Sequence, residues 1–296
     1  MKTATRWDES LFQLIRRTSV DLPVDVEAGL RALCRREPQG SRGRWALETM
    51  LANVAAARAN DAPICQDTGT LIFYFQVPAG SDTLALARYA RRAVARATRA
   101  GYLRENTIDT VTGRPHADNV APGAPVLIFE PERRRDVAVR LVLKGGGCEN
   151  VGIQYSLPDA TLDAGRDLEG VRRCLLDAVW RAQGRGCAPG VLGVCIGGDR
   201  ATGYEQSKRQ FLRLLGDRSA MPALARLEAR VTRAAQGLGI GPMGLGGRST
   251  LLGVKIGAVS RVPASYFVTV SYMCWACRRR GAALAADGSL RRWLYA

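Results

Sequence analysis

A chain of 296 residues has room for one large domain or two smaller ones, and 47% hydrophobic with 6% aromatic content is that of an ordinary globular protein. No apolar run reaches the roughly 18 residues that cross a bilayer. The N-terminal segment lacks the apolar stretch and small-residue cleavage site of a secretory signal, so no membrane association and a cytoplasmic location are expected. In that compartment thiols stay reduced, and the eight cysteines read as metal ligands, catalytic groups or core rather than as disulfides.

The net charge of +16 raises the question of nucleic acid. Its source is arginine; Lys2, Lys144, Lys208 and Lys255 are the only lysines. The arginines are spread along the chain, with no aromatic RNA-recognition pattern, zinc-finger spacing or basic heptad beside them. No nucleic-acid partner is expected. An acidic partner or an anionic substrate accounts for the excess better.

Three helices are predicted over residues 8–60. Leu11, Leu14, Ile15 and Val20 recur at near-helical spacing, and after Pro23 so do Val24, Val26, Leu30 and Leu33. Ser41 is the candidate N-cap of the third, whose apolar stripe is Trp45, Leu47, Met50, Leu51 and Val54. The β-branched and aromatic run at 71–77 predicts a strand. A helix over 82–100 and a polar loop over 104–125 follow.

Residues 126–130 and 137–145 predict a hairpin with an exposed arginine-rich turn. A helix over 165–183 leads to a glycine-bounded strand at 190–198. Helices over 200–215 and 220–236, a glycine-rich loop at 237–247, and strands near 250–258 and 266–272 complete the pattern. Ser289–Arg292 and the last residues read as a tail. With no repeat and no low-complexity linker, the expected fold is one α/β domain over 1–296. Its N-terminal helices are followed by mixed β-sheets flanked by helices.

Three cysteines stand in rich local settings: Cys65 in PICQDTGT, Cys187 in GCAPGVLGVCIGGD and Cys274 in SYMCWACRRR. Thiolates on distant loops, if they converge, offer a metal centre three ligands rather than four. Cys65 is followed by Gln66, Asp67, Thr68 and Gly69, an arrangement that serves either a turn or a reactive cleft, with Asp67 as proton donor or acceptor. The glycines of KGGGCEN (144–150) suit either a close approach to a ligand or a tight strand exit. GIGPMG (239–244) satisfies GxGxxG, but a helix precedes it and a strand follows, the reverse of a dinucleotide site. Cys274 and Cys277 form a CxxC without the second pair that a structural zinc requires. His116 is the only histidine, which excludes multi-histidine metal sites. Cys34, Cys174 and Cys195 fall on apolar faces and are assigned to the core.

PICQDTGT, KGGGCEN, CAPGVLGVCIGGD, GIGPMGLGG and CWACRR, in this order, resemble the α portion of the class I, iron–sulfur-dependent fumarate hydratases, a family that includes the L(+)-tartrate dehydratase α-subunits. The resemblance runs from about residue 8 to 285. It implies the α-domain fold of that family and a [4Fe–4S] cluster held by Cys65, Cys187 and Cys274, with one iron lacking a protein ligand and open to substrate. By the same resemblance Asp67 is the catalytic acid, while Gln66, Arg104 and Gly147 bind the substrate, a small dicarboxylate. The base and further carboxylate-binding residues belong to a β portion that this chain lacks. That implies a hetero-oligomer with a β subunit.

The implied activity is reversible hydration of fumarate to L-malate, with L(+)-tartrate dehydration as the alternative. A non-catalytic iron–sulfur protein would need only the cysteines, so Gln66, Asp67 and Arg104 favour an enzyme. Two departures bear on the substrate. Val262 stands where fumarate hydratases commonly have histidine, and Cys148 follows the glycines, as in tartrate dehydratases.

Overall fold

The computed structural model describes residues 6–295; the first five residues, included in the reading of the N-terminus, and Ala296 lie outside them. In chain order the elements are α1 (Arg6–Val20), α2 (Val24–Arg36), α3 (Arg42–Ala59), β1 (Thr70–Pro78), α4 (Thr83–Arg99), β2 (Val126–Glu132) and β3 (Val137–Lys144). There follow α5 (Gly146–Glu149), β4 (Ile153–Ser156), α6 (Leu168–Ala182), β5 (Gly190–Gly197), α7 (Arg200–Arg209), α8 (Pro222–Gln236), β6 (Leu251–Val259), β7 (Phe267–Met273), β8 (Arg279–Leu284) and β9 (Leu290–Leu294). This is the mixed α/β pattern expected, with helices first and helix-flanked sheets after them. No helix of the described residues is long and apolar enough to cross a membrane.

These elements form two compact units that interleave in sequence. Unit 1 comprises the segment up to Val24, Asn53–Gly146 and the segment from Arg278; unit 2 comprises Asp25–Ala52 and Gly147–Cys277.

Unit 1 is built on a five-stranded sheet in the order β2-β1-β3-β8-β9. β1 is apolar on both faces, Leu71, Ile72, Phe73, Tyr74 and Phe75 all being buried, as suits a strand covered on both sides. It pairs in parallel with β2 and antiparallel with β3. The predicted hairpin of β2 with β3 is therefore not formed. β1 lies between the two, and residues 133–136 cross its end, because the most apolar strand takes two partners. α1 buries Leu11, Leu14 and Ile15, each fully, in the same core cluster as Phe73, Phe75 and Leu141. Each such side chain contributes about 1.5–3 kcal/mol by leaving water. α4 packs against α1 through Leu86, Ala90, Val94 and Ala97. Its N-terminus is capped by Asp82, which accepts from the Ala85 N–H; such a cap is worth about 1 kcal/mol.

The predicted C-terminal tail is also corrected, since β9 pairs with β8 and extends the sheet. The arginine run before it is buried: Arg278 is 1% exposed, Arg279 0% and Arg280 7%. A charged run ordinarily marks a solvated face, and no strand was predicted over 279–284. Here Arg280 is held by the Asp21 carboxylate and the Leu22 and Tyr295 carbonyls, and the Arg279 guanidinium lies 5.2 Å from the Tyr295 ring centre.

Unit 2 carries a four-stranded sheet in the order β4-β7-β5-β6. β5 is buried along its whole length, between β7 and β6. At Gly193 an added Cβ would stand 2.2 Å from the Ser207 carbonyl, so glycine is what lets α7 close on β5. α6 and α7 start at Asp167 and Asp199, whose carboxylates accept from the first-turn N–H groups. Ser41 caps α3 as expected, its hydroxyl accepting from the Arg44 N–H at 3.2 Å.

Candidate functional site

Of the eight cysteines, none in a disulfide, Cys65, Cys187 and Cys274 are partly exposed and the other five are buried. These three are the thiols singled out in the sequence. Burial pushes the Cys174 thiol up to about 12 and the Cys195 thiol up to about 11, and raises that of Cys34 as well. Those groups stay protonated and apolar in character. Their assignment to the core holds.

In unit 1 the turn before β1 carries Cys65, Gln66 and Asp67. Thr68, 1% exposed, anchors it: its hydroxyl accepts from the Arg104 N–H at 3.1 Å and donates to Asn106. The Asn106 carboxamide oxygen also accepts from the Thr68 and Gly69 N–H groups at 3.1 Å. Asn119, buried and left-handed at φ 58°, accepts from the Asn106 and Thr107 N–H groups and donates to the Arg104 carbonyl at 2.8 Å. Arg104 itself is exposed. Its backbone is therefore fixed to the Asp67 turn while its guanidinium faces water.

Thr68 was read only as part of the turn after Cys65, and Asn106 and Asn119 were not singled out from the sequence. Polar loop residues of this kind look like ordinary turn formers, and only their burial distinguishes them.

Two further contacts hold Asp67. Arg278 Nη2 donates to its carbonyl at 2.6 Å. Gly145 lies against its carboxylate so closely that an added Cβ would be 2.9 Å from Oδ2. Asp67, Gly69, Asn106, Thr107 and Gly146 line a cavity of about 390 Å³ within unit 1. That volume suits a small ligand.

In unit 2 three motifs meet. The Cys187 carbonyl accepts from the Trp275 N–H at 3.1 Å, which joins the Cys187 loop to the Cys274 segment. Cys187 adopts φ 55°, a left-handed conformation that a side chain tolerates only where surroundings impose it. The surroundings are visible. Gly186 and Gly190 flank it where an added Cβ would run into the Tyr272 ring at 2.6 and 2.2 Å. The Ala188 carbonyl accepts from the Met243 N–H at 2.9 Å. GIGPMG thus buttresses the Cys187 loop, between α8 and β6 as the element order required.

Tyr272, 2% exposed, keeps its hydroxyl protonated through burial first, and then through the charges of Cys274, Cys148 and Cys187. Gly147 begins this unit, and an added Cβ there would meet nothing within 4 Å, so packing does not demand glycine at that position. Val262 is 65% exposed. Among the described residues no group of three His, Cys, Asp or Glu side chains is poised around one metal position.

Thiolates are the ligands that an iron–sulfur group takes, and the partly exposed thiols fit it in their chemistry, those of Cys187 and Cys274 standing on backbone stiffened by glycine contacts and hydrogen bonds. A family profile described as "Fumarate hydratase (Fumerase)" matches residues 8–283. The chain is 46% identical over 291 residues to "Putative fumarate hydratase class I" of Geobacillus stearothermophilus, covering 97% of this chain and 57% of that relative. This chain therefore spans little more than half of the longer protein. It is 31% identical over 272 residues to the "L(+)-tartrate dehydratase subunit alpha" of Escherichia coli strain K12, covering 91% of this chain and 88% of that one. With nearly its whole length matched, this chain belongs to the fumarate hydratase (Fumerase) family.

Proposed function

We propose that the chain is the α subunit of an iron–sulfur-dependent hydro-lyase that interconverts fumarate and L-malate. The observation that carries this reading is the sorting of the cysteines: the three thiols expected to hold a [4Fe–4S] cluster, Cys65, Cys187 and Cys274, are the three that are not buried. Those three thiols would hold the cluster, which would supply Lewis-acid chemistry toward the substrate hydroxyl.

The remaining roles fall to side chains. Arg104, exposed with its backbone fixed to the Asp67 turn, clamps a carboxylate with its planar fork. Gln66 contacts the substrate from the same turn, and the backbone of Gly147 faces it. Asp67 gives its proton to the departing hydroxyl of malate and regains one from the water that adds to fumarate. The base that removes the carbon-bound proton comes from a β subunit, so the active form is a hetero-oligomer. Eight cysteines outside any disulfide suit the reducing cytoplasm.

Dehydration of L(+)-tartrate is the second reading. It is favoured by the 88% coverage of the E. coli α subunit, by Cys148 after the glycines, and by Val262, which offers a substrate oxygen no hydrogen bond. A site that lacks one polar partner shifts its discrimination.

Anaerobic purification of the chain with and without its β partner, followed by assays on L-malate, fumarate and L(+)-tartrate, tests both. Malate–fumarate turnover by the complex alone is expected. Turnover of tartrate only would replace the first reading by the second, and full turnover by the isolated chain would remove the β subunit from the mechanism.

A further inference from the structure

In unit 2, α8, β6 and the turn at 215–218 enclose a cavity of about 690 Å³, within the range of small-molecule sites. Five arginines line it: Arg36, Arg218, Arg226, Arg233 and Arg248. All five are exposed. Arg226 and Arg233, seven residues apart on α8, share one helix face. Among the described residues, none of these five guanidinium groups has a hydrogen bond, ion pair or ring contact.

The carboxylates of the same cavity do not neutralise them. Glu228 and Asp217 line it too, but both are engaged by other cations. Arg213 Nη1 lies 2.7 Å from Glu228 Oε1, and Arg213 Nη2 lies 2.9 Å from Asp217 Oδ1. Lys255 Nζ lies 3.0 Å from Asp217 Oδ1. The Ile256 and Ser219 N–H groups occupy the Glu228 oxygens further. These charges cancel among themselves and leave five positive groups facing one concavity. Elsewhere on the helices arginines do find carboxylates, as in Arg31 with Glu27, Arg44 with Glu48 and Arg209 with Glu205.

We propose that this cavity is a binding site for a polyphosphate chain, carried by a nucleoside triphosphate or present as free inorganic polyphosphate. A dicarboxylate has too few charges to engage five guanidinium groups, whereas each phosphate accepts a bidentate fork. The lining contains no aromatic side chain on which the bases of a nucleic-acid strand would stack. Ala229 and Leu252 also line it and give a nucleobase some apolar surface. The site uses none of the residues assigned to the hydro-lyase reaction and does not rest on that assignment.

The test is calorimetric titration of the full chain with ATP and, separately, with inorganic tripolyphosphate, at about physiological salt so that non-specific attraction is screened. Saturable binding with a Kd on the order of 10–100 µM is expected for at least one of them. Tighter binding of ATP assigns the nucleotide as source; equal or tighter binding of tripolyphosphate assigns the free anion. The double variant R226A/R233A should weaken binding about tenfold or more. R230A, on the same helix but paired with Glu169 at 3.1 Å, should leave it unchanged. Absence of saturation with both ligands up to about 1 mM, an unaltered Kd in the double variant, or equal affinity for an oligoglutamate peptide would overturn the proposal.

Discussion

Arg278 Nη2 donates to the Asp67 carbonyl oxygen at 2.6 Å, joining the residue before β8 to the turn that carries Cys65 and Gln66. The donor is 1% exposed, and its Nε and Nη1 have no hydrogen-bond partner. A buried guanidinium with so few bonds is costly to retain, which points to a positional demand at Asp67. Replacement by Gln should remove a charge-assisted bond worth about 1.5–3 kcal/mol and let the turn shift. In the reconstituted enzyme kcat should fall at least about tenfold, since sub-ångström displacement is enough for that, while iron content stays normal. R278K, which keeps charge but not the fork, should recover only part of the loss. A Gln variant with unchanged kcat would show the bond to be incidental.

Gly145 and Gly146 make a paired test of the space around Asp67. An alanine Cβ at 145 would press on Oδ2 at 2.9 Å, whereas at 146 it stands 4.0 Å away. G145A should therefore depress kcat strongly and G146A mildly. Equal effects in steady-state assays would mean that crowding of the carboxylate is not what glycine prevents.

Thiol accessibility separates the proposed ligands from the core. With the metal removed, iodoacetamide at pH about 8 should alkylate Cys65, Cys187 and Cys274 and spare Cys174 and Cys195, whose buried thiols are pushed up to about 12 and 11. Peptide mass spectrometry reads the pattern. Reconstitution with iron and sulfide should then protect the first three. C277S should retain visible absorption where C274S loses it.

The Asp217 cluster sets part of the acid stability of unit 2. Burial alone would raise the Asp217 pKa, but the bonds from Arg213 and Lys255 outweigh it and hold the carboxyl below its ordinary 3.8. A depressed folded-state pKa means that the stabilisation is present above 3.8 and is lost as pH falls through the lower, folded value. D217N should accordingly melt below wild type near neutral pH, and the gap should close as acid protonates the wild-type group. A gap that is constant with pH in thermal melts would assign the effect to packing instead.

The helices and the two central strands, β1 and β5, were legible because periodicity and continuous apolar runs report burial directly. Pairing was less so. Nothing in residues 126–145 announces that β1 inserts between β2 and β3, since parallel pairing is decided by partners far away in sequence. The strand that begins at Arg279 drew no prediction, because the burial of a charge such as Arg280 depends on acceptors, Asp21 and Tyr295, that lie at the ends of the described chain. Within the candidate site, cysteine settings and glycine clusters carried the signal. Thr68, Asn106 and Asn119, which hold Arg104 in place, carried none beyond ordinary turn composition.

Gly69, at φ +73°, lies against the backbone of Lys144 so closely that a Cβ would meet its carbonyl at 2.4 Å, and the next residue, Thr70, is the register partner of Lys144. The Asp67 turn and the Gly145 exit are thus placed by main chain against main chain. Side chains along β1 and β3 can be exchanged for others of similar bulk without disturbing that junction. A single inserted or deleted residue in either strand cannot be absorbed in the same way: it would slip the ladder by one step, turn the buried faces outward, and carry Gly145 away from Asp67. In descent from a common ancestor, this part of the chain should vary in its letters but not in its length.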